Sequence, residues 1–462
     1  MFKKYKQIHF VGIGGIGMSG IAEVLLNLGY RVTGSDIKSS DITKRLKRIG
    51  AKIFKGHKCS NVEGAHVVVT SSAVKSSNPE VVEAKKRGIA VVPRAEMLSE
   101  LMRMKYGVAV AGTHGKTSTT SLIGHVLTTA GFDPTLIIGG KLKSLRSNAK
   151  LGRGEFLVAE ADESDRSFLK LAPTIGVITN IDPEHMENYD DFAHMQRAFI
   201  EFSNKVPFYG AVVACNAHPV VRKILKKVTR PYITYGGKDA DYIARDIEQK
   251  GEYLSFTALY ENKELGRIKL KMTGSHHVLN ALATIAVARH LDVPFSTIKQ
   301  ALKSFSGVKR RFEIIKRCGP IVVDDYAHHP VEILATIEAA KAGWPERRTV
   351  AVLQPHRFSR LSQHFEDFIG SVKDADAIVV MDVYSAGEKK HKIFTGEKLW
   401  RDVCRKYPKK MVAYAPRTEE VLMTLTPWCR KQDVILFLGA GSITQTAKAF
   451  SKTLTLSHSV RD

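Results

Sequence analysis

The sequence predicts an α/β protein of three domains, each built on a sheet with helical connections. Three observations carry this. The length, 462 residues, suits three domains of about 150 residues. Short apolar runs alternate with segments of helical spacing, as βα units require. Two glycine-rich loops, Gly12–Gly17 and Gly112–Gly115, each stand between such a run and such a segment.

The elements follow in order. Gln7–Val11 reads as a strand, Ile16–Leu28 as a helix, and Arg31–Gly34 as a strand running on to Asp36. A helical segment at 41–49, strand His66–Ser71, helix Pro79–Lys86 and strand Ile89–Pro93 complete a doubly wound block. A second block opens with strand Gly107–Ala111 and helix Lys116–Ala130, followed by strands at Glu155–Ala159 and Ile175–Thr179 and a helix start in SHHVLNALA. The third has strands at Pro320–Asp324, Thr349–Leu353, Ala377–Met381 and Val434–Leu438, with a helix at Val331–Ala340. The expected domains are residues 1–106 and 309–462, both Rossmann-like, around a P-loop ATPase-like centre at 107–308.

Composition excludes several classes. Apolar residues make up 44% and charged residues 25%, and glycine plus proline is 51 of 462, so the chain is neither fibrous nor low-complexity. Five scattered cysteines with no CxxC pair rule out a disulfide framework or thiolate zinc site and suit a reducing cytoplasm. No apolar run approaches the roughly 18 residues that span a membrane. Lys3, Lys4 and Lys6 precede an apolar stretch, but five glycines between Gly12 and Gly20 suit a phosphate loop better than an export signal. The net charge of +24 is spread over several short runs, KKVTR at 226–230 among them. With no aromatic-interleaved basic stripe in the sequence, it reads as a solvated surface, with no nucleic-acid partner and no membrane insertion.

Gly12-Ile13-Gly14-Gly15-Ile16-Gly17 fits GxGxxG, with Asp36 ending the next strand. Such glycines let backbone approach a pyrophosphate at a helix N-terminus, with the acid on a ribose hydroxyl. NAD or another nucleotide diphosphate would suit this geometry. Gly112-Thr113-His114-Gly115-Lys116-Thr117-Ser118 ends in GKT but is two residues shorter than the usual P-loop. Its backbone N–H groups and Lys116 would cradle a triphosphate, and the Thr117 hydroxyl would ligate Mg²⁺. Glu160, first off a strand in Ala159–Asp165, is the best-placed metal carboxylate of an acidic cluster. His185 in NIDPEH falls at the same sheet edge as Lys116.

Six motifs occur in order: GTHGKTS, EADESD, NIDPEH, VKRRFE, DDYAHHP and QPHRFSR. Together with the opening IHFVGIGGIGMSGIAEVL, they make the chain resemble the Mur ligase family over essentially its whole length. The resemblance is closest to the branch that adds L-alanine. It implies ATP-dependent ligation of L-alanine to the lactyl carboxylate of UDP-N-acetylmuramate through an acyl phosphate, with Mg²⁺. The first glycine loop would then hold a UDP diphosphate and not NAD, with Gly14, Gly15, Gly17, Asp36, Ser71, Ser72 and Arg94 as sugar-nucleotide contacts. By the same resemblance, Lys116, Glu160, His185 and Arg357 would carry the chemistry. Thr117 and Glu160 match ligands of a first metal and His185 of a second. Asn280 matches an adenine contact, Arg311 or its neighbour Arg310 a phosphate or ribose contact, and Asp324 the adenosine side. Tyr326, His328, His356, Arg357 and Arg360 line the amino-acid side. The two arginines, three apart, would share one side of a helix beginning there and clamp the carboxylate. Two departures stand out. His277 occupies a position where the family commonly has asparagine. Phe199 lies fourteen residues after His185, where sibling ligases carry a carbamylated lysine.

Overall fold

The structure is a computed structural model that describes residues 6–71, 73–138 and 149–456. Ser72, expected at the sugar nucleotide, lies outside the described residues. The chain divides into two compact units. The first holds residues up to 245 with 256–268 and 278–306, and the second 246–255, 269–277 and the residues from 307.

The first unit contains a five-stranded parallel sheet in the order Lys52–Lys55, Arg31–Asp36, Gln7–Val11, Val67–Thr70, Ala90–Pro93. The central strands are covered on both faces: Ile8, Phe10, Val68 and Val69 are fully buried. This explains their continuous apolar runs. Strand Lys52–Lys55 escapes sequence reading because KIFK is short and charged at both ends. Helix Arg94–Met102 escapes it because Pro93, its N-cap, looks like the end of a strand and not the start of a helix.

A second sheet in this unit runs Tyr232–Tyr235, Ala211–Cys215, Ile175–Ile178, Tyr106–Ala111, Phe156–Glu160, Thr135–Ile137, Ala149–Lys150. All are parallel except the last. Strands Tyr242–Lys250, Tyr253–Tyr260 and Lys263–Leu270 continue it. Val110 pairs with Glu160 and Ala111 with Ile178, so three neighbouring strands end together. Ligands of open parallel sheets bind at that edge.

The second unit has a six-stranded sheet in the order Glu313–Lys316, Ile321–Asp325, Asp433–Leu438, Arg348–Leu353, Ala377–Val380, Met411–Tyr414. Its first strand is antiparallel and the others parallel. Phe368, Phe437 and Phe450 fill its two faces. Among the described residues, no helix is long and apolar enough to cross a membrane.

Candidate functional site

Strand Tyr106–Ala111 feeds a four-residue loop and then helix Lys116–Thr129. Gly112 and Gly115 have φ of 136° and 82°, which side-chain-bearing residues rarely adopt. The loop is fastened from strand Ile175–Ile178. The Asn180 side chain accepts from the His114 amide at 2.7 Å and donates to the His114 carbonyl at 3.0 Å. The Thr179 hydroxyl donates to the same carbonyl at 2.7 Å. Asn280, from helix His276–His290, accepts from the Thr119 hydroxyl at 3.1 Å, and its Oδ1 lies 3.0 Å from where a Gly115 Cβ would be. Thr117 and Ser118 are buried in the first turn.

Lys116 folds back over this loop. Its ammonium donates to the Gly112 and Thr113 carbonyls at 2.5 and 3.2 Å and to Glu163 at 2.9 Å. Sequence reading singled out Glu160 from the acidic cluster, but the carboxylate on Lys116 is Glu163, 2% exposed. Burial raises Glu163 to about 7 despite the lysine. Desolvation opposes the Lys116 charge, yet the attraction of Glu163, Asp162 and Glu160 holds its pKa above the ordinary value. Glu160 is therefore within electrostatic reach of Lys116. Glu160 ends the strand beside Tyr106–Ala111, and Thr117 lies in the first turn of the helix that follows that strand's loop; a hydroxyl and a carboxylate are oxygen donors of the kind Mg²⁺ takes. His185 sits at φ 56° between its own neighbours, 3.8 Å from Glu184 and 3.7 Å from Glu187. His114 approaches Glu184 at 3.3 Å, and His218 approaches Asp182 at 3.3 Å. Phe199 is fully buried, its ring 5.1 Å from that of Phe168.

The first glycine loop is closed from strand Arg31–Asp36. Gly12 and Ile13 donate to the Ser35 carbonyl at 2.9 and 3.0 Å, and Gly14 donates to Asp36 at 2.8 Å. A Cβ on Gly14 would stand 2.7 Å from Asp36, one on Gly17 3.1 Å from Arg94, and one on Gly12 3.7 Å from the Ser71 hydroxyl. Gly15, exposed, caps helix Ile16–Asn27. The structure thus gathers Gly14, Gly17, Asp36, Ser71 and Arg94 around one loop. Arg94 also donates to Asp162 at 3.3 Å, which ties this loop to the acidic cluster. Glu80 accepts at 2.5 Å from the hydroxyl of Ser35, the residue whose carbonyl closes the loop. Burial would raise its pKa, but bonds from His9, Ser35 and Asn61 and the His9 charge outweigh this and hold it at about 2.

In the second unit, Asp324 is paired with Arg310 at 3.8 Å, and Arg310 also donates to the Gly439 carbonyl at 2.6 Å. The Arg311 guanidinium lies 5.4 Å from the Tyr326 ring. His328 and His356 are ring neighbours at 5.9 Å, and both are pushed down to about 4, first by burial. They are neutral at pH 7. Arg360 lies 3.4 Å from His356. One expectation is corrected here: Arg357 is not in the helix. Helix Phe358–Gln363 begins after it, and Arg357 is its cap at φ 69°, ψ 137°, a strained backbone for arginine. Its amide donates to the Tyr384 carbonyl at 2.8 Å, so helical spacing does not set its direction relative to Arg360.

Sequence reading missed Glu163 and Asn180, although both lie in motifs it quoted. It also missed Tyr384, stacked 5.6 Å from His356, and Glu388, which accepts from the Ser359 hydroxyl at 2.6 Å. The signal was their position after strand Ala377–Val380, the usual place for ligand contacts in a parallel sheet.

The family models for the Mur ligase catalytic, middle and glutamate ligase domains match residues 7–106, 110–288 and 310–441. The chain belongs to the Mur ligase family. A Mur ligase from Pelobacter propionicus, named UDP-N-acetylmuramate–L-alanine ligase, is 52% identical over 97% of this chain and 98% of its own. A protein of the same name from Geobacter sulfurreducens is also 52% identical, with the same coverage. The crystal structure of the Thermotoga maritima UDP-N-acetylmuramate–alanine ligase superposes with a TM-score of 0.84. It is 30% identical and covers 98% of this Mur ligase and 99% of its own chain.

Proposed function

We propose that this Mur ligase joins L-alanine to the lactyl carboxylate of UDP-N-acetylmuramate at the expense of ATP, releasing ADP and phosphate. The observation that carries the reading is Lys116. It is a half-buried ammonium at the start of a helix, held by loop carbonyls and Glu163, in a chain 52% identical to ligases of that name. Two anions, a carboxylate and a triphosphate, must meet, so positive charge has to be supplied where they do.

Lys116 exchanges Glu163 for the β- and γ-phosphate oxygens, and loop amides cradle the rest. Thr117 and Glu160 would hold Mg²⁺ and His185 a second ion, which would supply charge neutralisation at the transferring phosphoryl group. Asn280 contacts adenine, Arg311 or its neighbour Arg310 the phosphate or ribose, and Asp324 the adenosine side. Gly14, Gly15, Gly17, Asp36, Ser71 and Arg94 bind the sugar nucleotide. Substrate carboxylate attacks the γ-phosphate, forming an acyl phosphate. The alanine amine, having lost a proton, attacks its carbonyl and phosphate leaves. Neutral His328 and His356, with Tyr326, line the amino-acid side, while Arg357 and Arg360 hold the alanine carboxylate. Residues 1–106, 107–308 and 309–462 act as sugar-nucleotide, ATP and amino-acid domains, in the cytoplasm.

Phosphate release tests the reading. With ATP, Mg²⁺ and UDP-N-acetylmuramate present, addition of L-alanine should start turnover. Turnover with a preformed tripeptide but not L-alanine would overturn it.

A further inference from the structure

Between Glu201 and Asp239 the chain carries no carboxylate side chain, while seven cations fall in the same stretch: Lys205, Arg222, Lys223, Lys226, Lys227, Arg230 and Lys238. The fold concentrates part of this charge. Helix Pro219–Leu225 leads into Lys226 and Lys227, and Arg230 opens the way to strand Tyr232–Tyr235. All three are exposed.

Beside them is an unusual turn. Pro207–Gly210 closes with the Gly210 amide on the Pro207 carbonyl at 3.0 Å. Its two central residues are Phe208 and Tyr209, where turns ordinarily place glycine, asparagine, aspartate or serine. They are 81% and 61% exposed. The basic segment is fastened to this turn's base. Asn204 accepts from the Thr229 amide at 2.8 Å, and its carbonyl accepts from Arg230 at 3.1 Å. Val212 pairs with Tyr232, itself 49% exposed, so a third aromatic ring stands on the adjacent strand at the same level. Tyr106, 47% exposed, begins its strand at the same edge.

All of these residues precede or begin their strands. The phosphate loop, Asn180 and Glu160 follow theirs, so the aromatic and basic edge lies at the opposite end of the same parallel sheet from the candidate site. Clustered exposed apolar side chains mark an interaction surface. Amphipathic tyrosine rings beside the apolar Phe208, with flanking lysine and arginine, match the headgroup level of an anionic bilayer. Single-stranded nucleic acid fits less well. It needs rings spaced along a groove to stack successive bases, whereas Phe208 and Tyr209 are chain neighbours at 88° to each other on a turn.

We propose that this edge is a peripheral docking surface for an anionic lipid bilayer. Phe208 and Tyr209 enter the headgroup layer, Lys226, Lys227 and Arg230 contact lipid phosphates, and the ligase site faces away from the membrane.

The test is co-sedimentation of the full chain with vesicles of phosphatidylglycerol and phosphatidylethanolamine, against phosphatidylcholine vesicles. Binding is expected to the first and not the second. F208S/Y209S keeps every charge and K226E/K227E keeps every ring. Each should weaken binding on the order of tenfold or more while leaving ligase turnover in solution unchanged. Absence of binding to the anionic vesicles at low salt would overturn the proposal, as would binding that neither double variant weakens. RNA binding that is steeply salt-dependent and indifferent to F208S/Y209S, without vesicle binding, would assign the edge to nucleic acid instead. A dimer abolished by F208S/Y209S, again without vesicle binding, would assign it to a second copy of the chain.

Discussion

The first unit contains two glycine loops that look alike in sequence and differ in what they hold. Both leave a parallel strand and open a helix. In the first, the neighbouring strand supplies a carbonyl and a carboxylate: Ser35 takes the Gly12 and Ile13 amides, and Asp36 takes Gly14. In the second, the neighbouring strand supplies Thr179 and Asn180, which grip His114, and the loop adds its own cation, Lys116. A carboxylate-faced loop suits a ligand with hydroxyl groups beside its diphosphate. A lysine-bearing loop suits a triphosphate. Glycine makes the backbone approachable in both, and the side chain next to it decides what approaches.

The largest expected effect tests the second loop. Lys116→Ala removes a charge aimed at the transferring phosphoryl group and should lower kcat on the order of 10²–10³ or more. Near wild-type phosphate release from this variant would erase the distinction between the loops.

A third handle, a guanidinium, extends the comparison to the second unit. Arg357→Lys keeps the charge but loses the two-pronged donor. The KM for L-alanine should rise about tenfold or more, with those for ATP and UDP-N-acetylmuramate near wild type. An equal rise for all three would make Arg357, with its strained backbone, a structural residue.

The last effect is on stability and concerns what supports the first loop. Glu80 is held at about 2, below its ordinary 4.5, by partners that include the Ser35 hydroxyl at 2.5 Å. A lowered carboxylate pKa stabilises the fold above pH 4.5, and that contribution is lost as pH falls from 4.5 towards 2. Glu80→Gln should destabilise the protein by about 2–3 kcal/mol at pH 7 in urea unfolding, with the gap closing across that acid window. A gap independent of pH would mean that Glu80 acts through packing alone.

These cases also show what sequence could and could not reveal. The strand–loop–helix context of both loops was legible because hydrophobic runs and glycines are local signals. Strand Gln7–Val11 and helix Pro79–Lys86 appear with the expected limits. The Glu163–Lys116 pair was not legible, because choosing among neighbouring carboxylates depends on a turn after the strand that spacing does not encode. Arg357 was misplaced for a related reason. A non-glycine residue at φ 69° is held there by the Tyr384 carbonyl, a partner 27 residues away. The Glu80 network joins His9, Ser35, Asn61 and Glu80 from four separate segments, so nothing in any one of them announces it.

The most direct test of the two-loop account is a crossed calorimetric titration. UDP-N-acetylmuramate and a non-hydrolysable ATP analogue are each titrated into Lys116→Ala and into Gly14→Leu, whose added side chain meets Asp36. The account predicts that Lys116→Ala loses the nucleotide and keeps the sugar nucleotide within about twofold of wild type, while Gly14→Leu does the reverse. Loss of both ligands in either folded variant, or micromolar NADH binding with no UDP-N-acetylmuramate binding in the wild type, would contradict it.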